Sequence, residues 1–484
     1  MERSEIFSSK NKTETTLKPT TMKKSIFVIL LSLACVFSAV AQETSEKKEI
    51  VKKGYSYGPL PAVAFDADKG FQLGALLNIY DFGDGTVYPN TCQQWYFEAS
   101  FFTKGSQLFV VSYDSKFLIP GIRFSTALAV TNDNAMDFYG FNGYQSYFDY
   151  EKVDAGKDGD SYIYTPYYRT KRLAALLKAD FIGNIWDNKL FWEAGYHLSH
   201  FKQGAINREK INKNKEENQI YPNSEPTLYE MYREWGIIPD DVANGGTNST
   251  VRLGLLYDTR DKEGAPSKGI WAEAHATLAP KWLGTTNPYY RYSATWRHYI
   301  PIVDNDILTF AYRLNYQGTF GKTSPYYVLP YITTMGQSYD RDGMGGFRTI
   351  RGIMRNRVQG LDMASYNAEL RWRFISFALA NQNISLGLNC FSDGTMVTKE
   401  YDMSFNSTAA DFPTAAAYQA AKDAYNNYMN MGLSKDRPHI TLGAGFRFIM
   451  NQNFIVCLEY GKPVGKYSKQ DGNGAFYINT GYLF

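Results

Sequence analysis

The sequence has 484 residues, with 51 Lys and Arg against 48 Asp and Glu and a formal net charge of +3. A balance so near neutral, with the basic residues spread along the chain, excludes a nucleic-acid surface, so no nucleic-acid partner is expected. Aromatics make up 16% of residues while mean hydropathy is only −0.38, and no mature segment offers the run of about 18 apolar residues a spanning helix needs, a combination that fits a chain crossing a membrane by strands.

Residues 1–41 read as a secretory signal whose true start is Met22: Lys23-Lys24, an apolar stretch over 26–37, then Ala39-Val40-Ala41 as the cleavage site. Cys35 raises a lipoprotein alternative, but Ser32 stands where a lipidation box wants Leu. Residues 42–55 are expected to form a short periplasmic N-terminal segment and 56–484 the barrel domain. Alternating runs follow at 57–65, 70–80, 93–102, 107–117, 122–130, 162–182, 190–201 and 249–258. They continue at 269–280, 289–301, 307–320, 365–374, 383–393, 438–450, 453–462 and 475–484. The count is sixteen, an even number as a single-chain bacterial barrel requires. The long connections, 131–161, 202–248, 321–364 and 394–437, all follow odd strands, whereas Pro120-Gly121 and Asn451-Gln452 are short links after even ones. With a periplasmic N-terminus, every long loop lies outside the cell.

Cleavage leaves Cys92, Cys390 and Cys457, too few for a disulfide framework and expected to be free. Metal-ligand spacings are absent, so no metal and no cofactor are expected. His275 and Glu273 share a lumen face without a nucleophilic Ser or Cys beside them, which gives catalysis no footing. Two loop helices are expected, one capped by Ser224 and carrying Leu228, Tyr229, Met231, Tyr232 and Trp235, the other begun at 411–413 with Tyr418, Ala421, Tyr425 and Tyr428. They either cap their own barrel or dock a partner.

The organising motif is Gly345-Gly346-Phe347-Arg348-Thr349-Ile350-Arg351-Gly352, set in a long loop. In the run after it, Tyr366, Ala368, Leu370, Trp372 and Phe374 share one face and Asn367, Glu369, Arg371 and Arg373 the other. The next run puts Ser385, Gly387, Asn389, Phe391 and Asp393 on its polar side. If the polar face lines a barrel, Arg351 meets Glu369 and Asp393, which neutralise it.

These residues resemble the BamA/TamA superfamily of outer-membrane assembly and translocation barrels, the bacterial surface antigens of older usage. In that family an Arg-Gly-aromatic motif of the sixth outer loop folds into the barrel, and its arginine meets acidic residues on strands twelve and thirteen. Ile350-Arg351-Gly352, Asn367-Ala368-Glu369 and Phe391-Ser392-Asp393-Gly394 stand in those places. Asp258-Thr259-Arg260-Asp261, with Pro266 and Gly269, looks like the family's periplasmic turn between strands eight and nine. Ile353 departs from the pattern, standing where the family has Phe or Tyr. The family's periplasmic domains of about 75 residues, which receive clients, have no room between the cleavage site and the first strand.

The resemblance implies a 16-stranded antiparallel transmembrane β-barrel in the outer membrane of a Gram-negative bacterium, with the sixth outer loop folded into the lumen. Its implied role is protein insertion, assembly or translocation. Pro59 and Pro61 on the first strand thin its ladder, and the closing strand sets Phe476, Ile478, Thr480, Tyr482 and Phe484 on one face, so the seam between them resembles a lateral gate. Implied partners are outer-membrane lipid and lipopolysaccharide, a periplasmic or lipoprotein subunit, and unfolded outer-membrane protein clients. The alternatives are a barrel serving as membrane anchor or subunit of a larger complex, and a plugged pore.

Overall fold

The computed structural model describes residues 50–484 apart from 67–69, 151–152, 154–164, 218–219, 304–305 and 337–342. The expected signal, its cleavage site and residues 42–49 lie outside the described residues. The first eight strands are β1 (Tyr55–Asp66), β2 (Gly70–Asp81), β3 (Gln93–Phe102), β4 (Gln107–Ile119), β5 (Ile122–Asp137), β6 (Arg169–Trp186), β7 (Leu190–Gly204) and β8 (Gly245–Asp258). The second eight are β9 (Gly269–Ala279), β10 (Tyr289–Val303), β11 (Leu308–Thr319), β12 (Asp362–Leu379), β13 (Gln382–Lys399), β14 (His439–Met450), β15 (Phe454–Val464) and β16 (Ala475–Thr480). They form one 16-stranded antiparallel sheet in strict sequence order, a transmembrane β-barrel. No helix among the described residues is long and apolar enough to cross a membrane.

Strand existence follows the alternation; several strand ends depart from it, among them β5, which runs on to Asp137, and β8, which starts at Gly245. β6 begins at Arg169 rather than 162, because Thr165–Tyr168 form a 3₁₀ turn. β12 runs past Phe374 across a register shift between Arg373 and Ile375, a bulge that hides the continuation by breaking the period of two. β13 continues to Lys399, since Thr395 and Val397 lie buried beneath the loops and lose the two-faced pattern. β16 stops at Thr480 instead of reaching Phe484.

Inside and outside alternate as the sequence implies. On β12, Asn367, Glu369 and Arg371 are buried while Leu370 and Trp372 are exposed; on β14, Thr441 and Arg447 are buried while Leu442 is exposed. The exposed apolar face meets lipid and the polar face lines the lumen. Cys92, Cys390 and Cys457 are free thiols.

The largest apolar core sits at the loop end. Helices α1 (Arg208–Asn212), α2 (Leu228–Glu234), α3 (Asp240–Ala243) and α4 (Ala415–Met431) belong to loops there. Trp235, fully buried, packs against Tyr232, Tyr425 and Tyr428 with ring centroids 5.5–5.8 Å apart. Phe138 and Phe141, and Tyr326 and Tyr327, from two further connections join the same cluster, as does Tyr229 of the connection that carries Trp235. The two expected helices therefore cap their own barrel. Their starts differ from expectation: Thr227, not Ser224, caps α2 in a capping box with Glu230, and Thr414 caps α4, while Asp411 closes a separate 3₁₀ turn capped by Thr408.

Candidate functional site

The loop between β11 and β12 enters the lumen and is held on two opposed stretches of wall. Its first limb lies on β6 to β11: Arg291 Nη1 donates to the Val328 carbonyl at 2.9 Å, Arg252 Nη1 to the Thr334 carbonyl at 2.8 Å, and Gly336 N to Asp180 Oδ2 at 3.1 Å. His275 Nε2 is 3.2 Å from Thr333 Oγ1 and its Nδ1 2.7 Å from Glu273 Oε1, so that pair positions the loop.

The returning limb carries the motif. Gly345, Gly346 and Gly352 all have positive φ, and at Gly352 a Cβ would lie 2.6 Å from the Gly461 carbonyl carbon of β15. Only glycine lets the loop backbone lie that close to the wall. Thr349 Oγ1 accepts from Gly345 N at 2.9 Å, and Asn367 Nδ2 of β12 holds the Thr349 carbonyl at 2.7 Å. Ile350 and Ile353 are buried with Met344, Val358, Met363 and Val397, so Ile353 fills an apolar pocket in place of the family's aromatic ring.

That scaffold drives Arg351 into the wall. Its Nε and Nη2 meet the two oxygens of Asp393 at 2.8 and 2.9 Å. Its Nη1 lies 2.6 Å from Glu369 Oε1 and 2.8 Å from Glu459 Oε1. The guanidinium carbon stacks 3.5 Å from the centre of the Phe391 ring. Burial opposes the charge, but Asp393 and Glu369 outweigh it and hold the group above its ordinary pKa. Two further arginines complete the network: Arg371 Nε donates to Glu369 Oε2 at 2.7 Å, and Arg447 Nη2 lies 2.9 Å from Glu369 Oε2 and 3.1 Å from Glu459 Oε1. Three guanidiniums thus face three carboxylates, the arrangement that makes buried charge tolerable.

Glu369 and Asp393 stand where sequence parity puts them. Glu459 escaped notice, although the outward set Val456, Leu458 and Tyr460 leaves it on the lumen face of β15 by alternation. Arg371 shares its strand with Glu369, and Arg447 of β14 reaches Glu459 on the adjacent β15 and Glu369 two strands away, pairings that alternation along a single strand does not specify.

The connection between β8 and β9 seals the turn end. Arg260 pairs with Asp258 at 2.7 Å, and Asp261 accepts from Ser267 N and Lys268 N at 3.0 and 3.1 Å. Pro266 is buried and Gly269 opens β9 with its backbone against the Thr259 carbonyl. The unexpected residue is Glu263, which crosses to Lys116 and to Arg123, the latter at 3.2 Å. Burial raises its pKa, but Arg123, Lys116 and Arg260 prevail and hold it at about 2.

The seam departs most from expectation. Pro59 and Pro61 lie in register with Leu77 and Ala75 of β2, and their side chains face outward with Tyr57. β16 pairs with β15 only from Gly461↔Ala475 to Val456↔Thr480. Phe476 and Ile478 face lipid, but Tyr482 and Phe484 do not share their face. At Gly481, with φ +80°, the chain turns into the lumen, where Phe484 is buried against Tyr299 and Ala311. The positive φ permits the turn, and arginine faces inside the barrel receive the rings. Beside it, Gly58 of β1 lies against the Phe454 ring of β15, at 2.5 Å from an added Cβ.

No curated protein matches the chain. Among solved structures it is similar to BamA from Haemophilus ducreyi lacking POTRA domains 1-3, at 16% identity over 88% of this chain and 70% of that one, with a TM-score of 0.49. CdiB from Escherichia coli is similar at 10% identity, 90% and 62% coverage and a TM-score of 0.44, and CdiB from Acinetobacter baumannii at 12%, 89% and 60%, and 0.41. The chain spans less than two thirds of the length of both CdiB structures. The model of the Omp85 superfamily domain matches residues 112–484, from β4 through the loop motif to Phe484, and by that match the chain belongs to the Omp85 superfamily.

Proposed function

We propose that the protein is an outer-membrane barrel of a Gram-negative bacterium that takes part in outer-membrane protein insertion and assembly or in protein translocation, and that it catalyses no covalent reaction. One observation supports this beyond family membership: β16 holds β15 over six residues and then leaves the wall. A short seam strand is the part of a closed barrel that costs least to open. The proposed clients are unfolded barrel proteins that pair with the freed edge by strand addition. Outer-membrane lipid and lipopolysaccharide surround the site, and a periplasmic or lipoprotein subunit delivers the clients.

The test is a disulfide across the seam. Gly58→Cys with Phe454→Cys, in a background where Cys92, Cys390 and Cys457 are Ser, should lower the outer-membrane content of other barrel proteins, and reductant should restore it. Unchanged barrel-protein levels under a fully formed disulfide would sink the proposal. A second reading, a membrane anchor or subunit of a larger complex, draws support from the loop-end cap and the loop across the lumen, which also disfavour a diffusion pore. It expects a stoichiometric partner in mild detergent and no loss of barrel proteins under the lock.

A further inference from the structure

We propose that His439 is a pH-sensitive clamp at the outer end of the barrel. As an imidazolium it ties the connection between β15 and β16 to the connections after β5 and β13, and loss of its proton as pH rises frees that tie. His439 opens β14 at the loop end, fully buried, in register with Thr395 of β13. Its Nδ1 lies 2.7 Å from Asp471 Oδ1, in the connection between β15 and β16. Its Nε2 lies 3.0 Å from Asp436 Oδ1, in the connection between β13 and β14. Both carboxyls are committed as acceptors: Asp436 takes Tyr144 N at 2.9 Å and Val397 N at 2.8 Å, and Asp471 takes the Tyr144 hydroxyl at 2.5 Å. A neutral imidazole carries one N–H and would turn a lone pair toward one of them. Both contacts are made only by the cation.

The ring is enclosed from several elements, and their charges fix the direction of the switch. Tyr144, from the connection between β5 and β6, stacks on it with centroids 3.8 Å apart. Arg357, from the lumen loop, has Nε 3.7 Å from Asp471 Oδ1 and 2.8 Å from the Gln470 carbonyl, and donates to the Gly143 and Ser146 carbonyls at 2.9 and 3.0 Å. β13 contributes Thr395 and the Val397 peptide, neither of them charged. Lys435, Arg437, Lys466 and Lys469 are exposed. The buried ionisable groups are therefore Asp436, Asp471, Tyr144, Arg357 and His439. With His439 charged, two cations face two carboxylates; without its proton Arg357 alone faces both, and a buried charge lacks its counterion. The clamp is complete below the pKa of that imidazolium and is lost as pH rises through it. Other ties decide which part moves. Leu433 N donates to the Tyr144 carbonyl at 2.9 Å and Gln145 Nε2 to the Ser434 carbonyl at 2.8 Å, so the stretch before Asp436 stays with the connection after β5. The 3₁₀ turn Ser468–Asp471 is the part released from it.

The test is a distance measured against pH. Nitroxide labels go on Lys435→Cys and Lys469→Cys, in a background where Cys92, Cys390 and Cys457 are Ser, with the full chain folded in detergent micelles. Pulsed electron paramagnetic resonance reads their separation from about pH 5 to about pH 10, a range that brackets a histidine stabilised by two carboxylates. One short distance at the acid end should give way to a longer, broader distribution through a single midpoint. Asp471→Asn keeps an acceptor for Nδ1 but removes a charge, and should lower that midpoint by about one unit or more. His439→Gln should give the broad distribution at every pH. Folding of each variant is checked by heat-modifiable gel migration. The native chain supplies a readout that no misfolding can confuse: with histidine labelled by ¹⁵N, both His439 ring nitrogens should be protonated at the acid end. A neutral ring there, a native distance constant over the range, or a midpoint that Asp471→Asn leaves in place would overturn the proposal.

Discussion

Arg351 holds Asp393 through three donors: its Nε and backbone N reach Oδ2 at 2.8 and 3.0 Å, and its Nη2 reaches Oδ1 at 2.9 Å. A loop residue and a strand residue 42 positions apart are thereby fixed in distance and in orientation, since both the fork and the peptide of Arg351 share one carboxylate. The loop crossing the lumen is locked at its returning limb by this grip.

Arg351→Ala leaves Asp393, Glu369 and Glu459 buried with one cation fewer, and breaking such a buried pair costs about 3–5 kcal/mol. Trypsin should then cleave the loop near Arg348 and Arg355 at least tenfold faster in the folded protein. Arg351→Lys should recover little, because an ammonium cannot span two oxygens of Asp393 and also reach Glu369. Cleavage at the native rate in the Ala variant would show that the other limb alone holds the loop.

Glu369 and Glu459 rank differently. Glu369 lies beside Arg351, Arg371 and Arg447, whereas Glu459 meets Arg351 and Arg447 and takes an Asn389 amide at 3.0 Å. Glu369→Gln should therefore lower the heat-modification temperature more than Glu459→Gln does. The reverse order would mean that the β15 carboxylate is the main anchor.

The turn seal should release in acid. Glu263 has its pKa depressed to about 2 by Arg123, Lys116 and Arg260 acting against burial. Its contribution is therefore full above the ordinary carboxylate value near 4.5 and is lost as pH falls toward 2. Pepsin accessibility of the connection between β8 and β9 should rise steeply between pH 4.5 and 2, and Glu263→Gln should show high accessibility throughout that range. A native profile flat in pH would remove Glu263 from the seal.

Trp235 is the keystone of the cap. Trp235→Ala leaves a cavity among Tyr232, Tyr425 and Tyr428 and should cost about 3–5 kcal/mol within the cap. Because the strands below are separately hydrogen-bonded, barrel migration on gels should persist while single-channel conductance in planar bilayers rises. Unchanged conductance would mean that the lumen loop alone blocks the pore.

Alternation by itself determined sixteen strands, their inward and outward faces, and the carboxylates Glu369 and Asp393 opposite Arg351, because side-chain direction in a strand is a local property with a period of two. Loop order and length likewise placed the long connections at one end. The tertiary structure alone decided which distant residues meet: Glu459 completing the arginine network, Glu263 reaching Arg123, Trp235 closing the cap, and Tyr482 and Phe484 turning inward. Those pairings join residues on non-adjacent strands or on loops, where no period links partner to partner. The inward turn after Thr480 depends on a single backbone angle at Gly481 and on arginine faces contributed by β11, β12 and β14, so the pattern that correctly faced Phe476 and Ile478 toward lipid could not carry past that glycine.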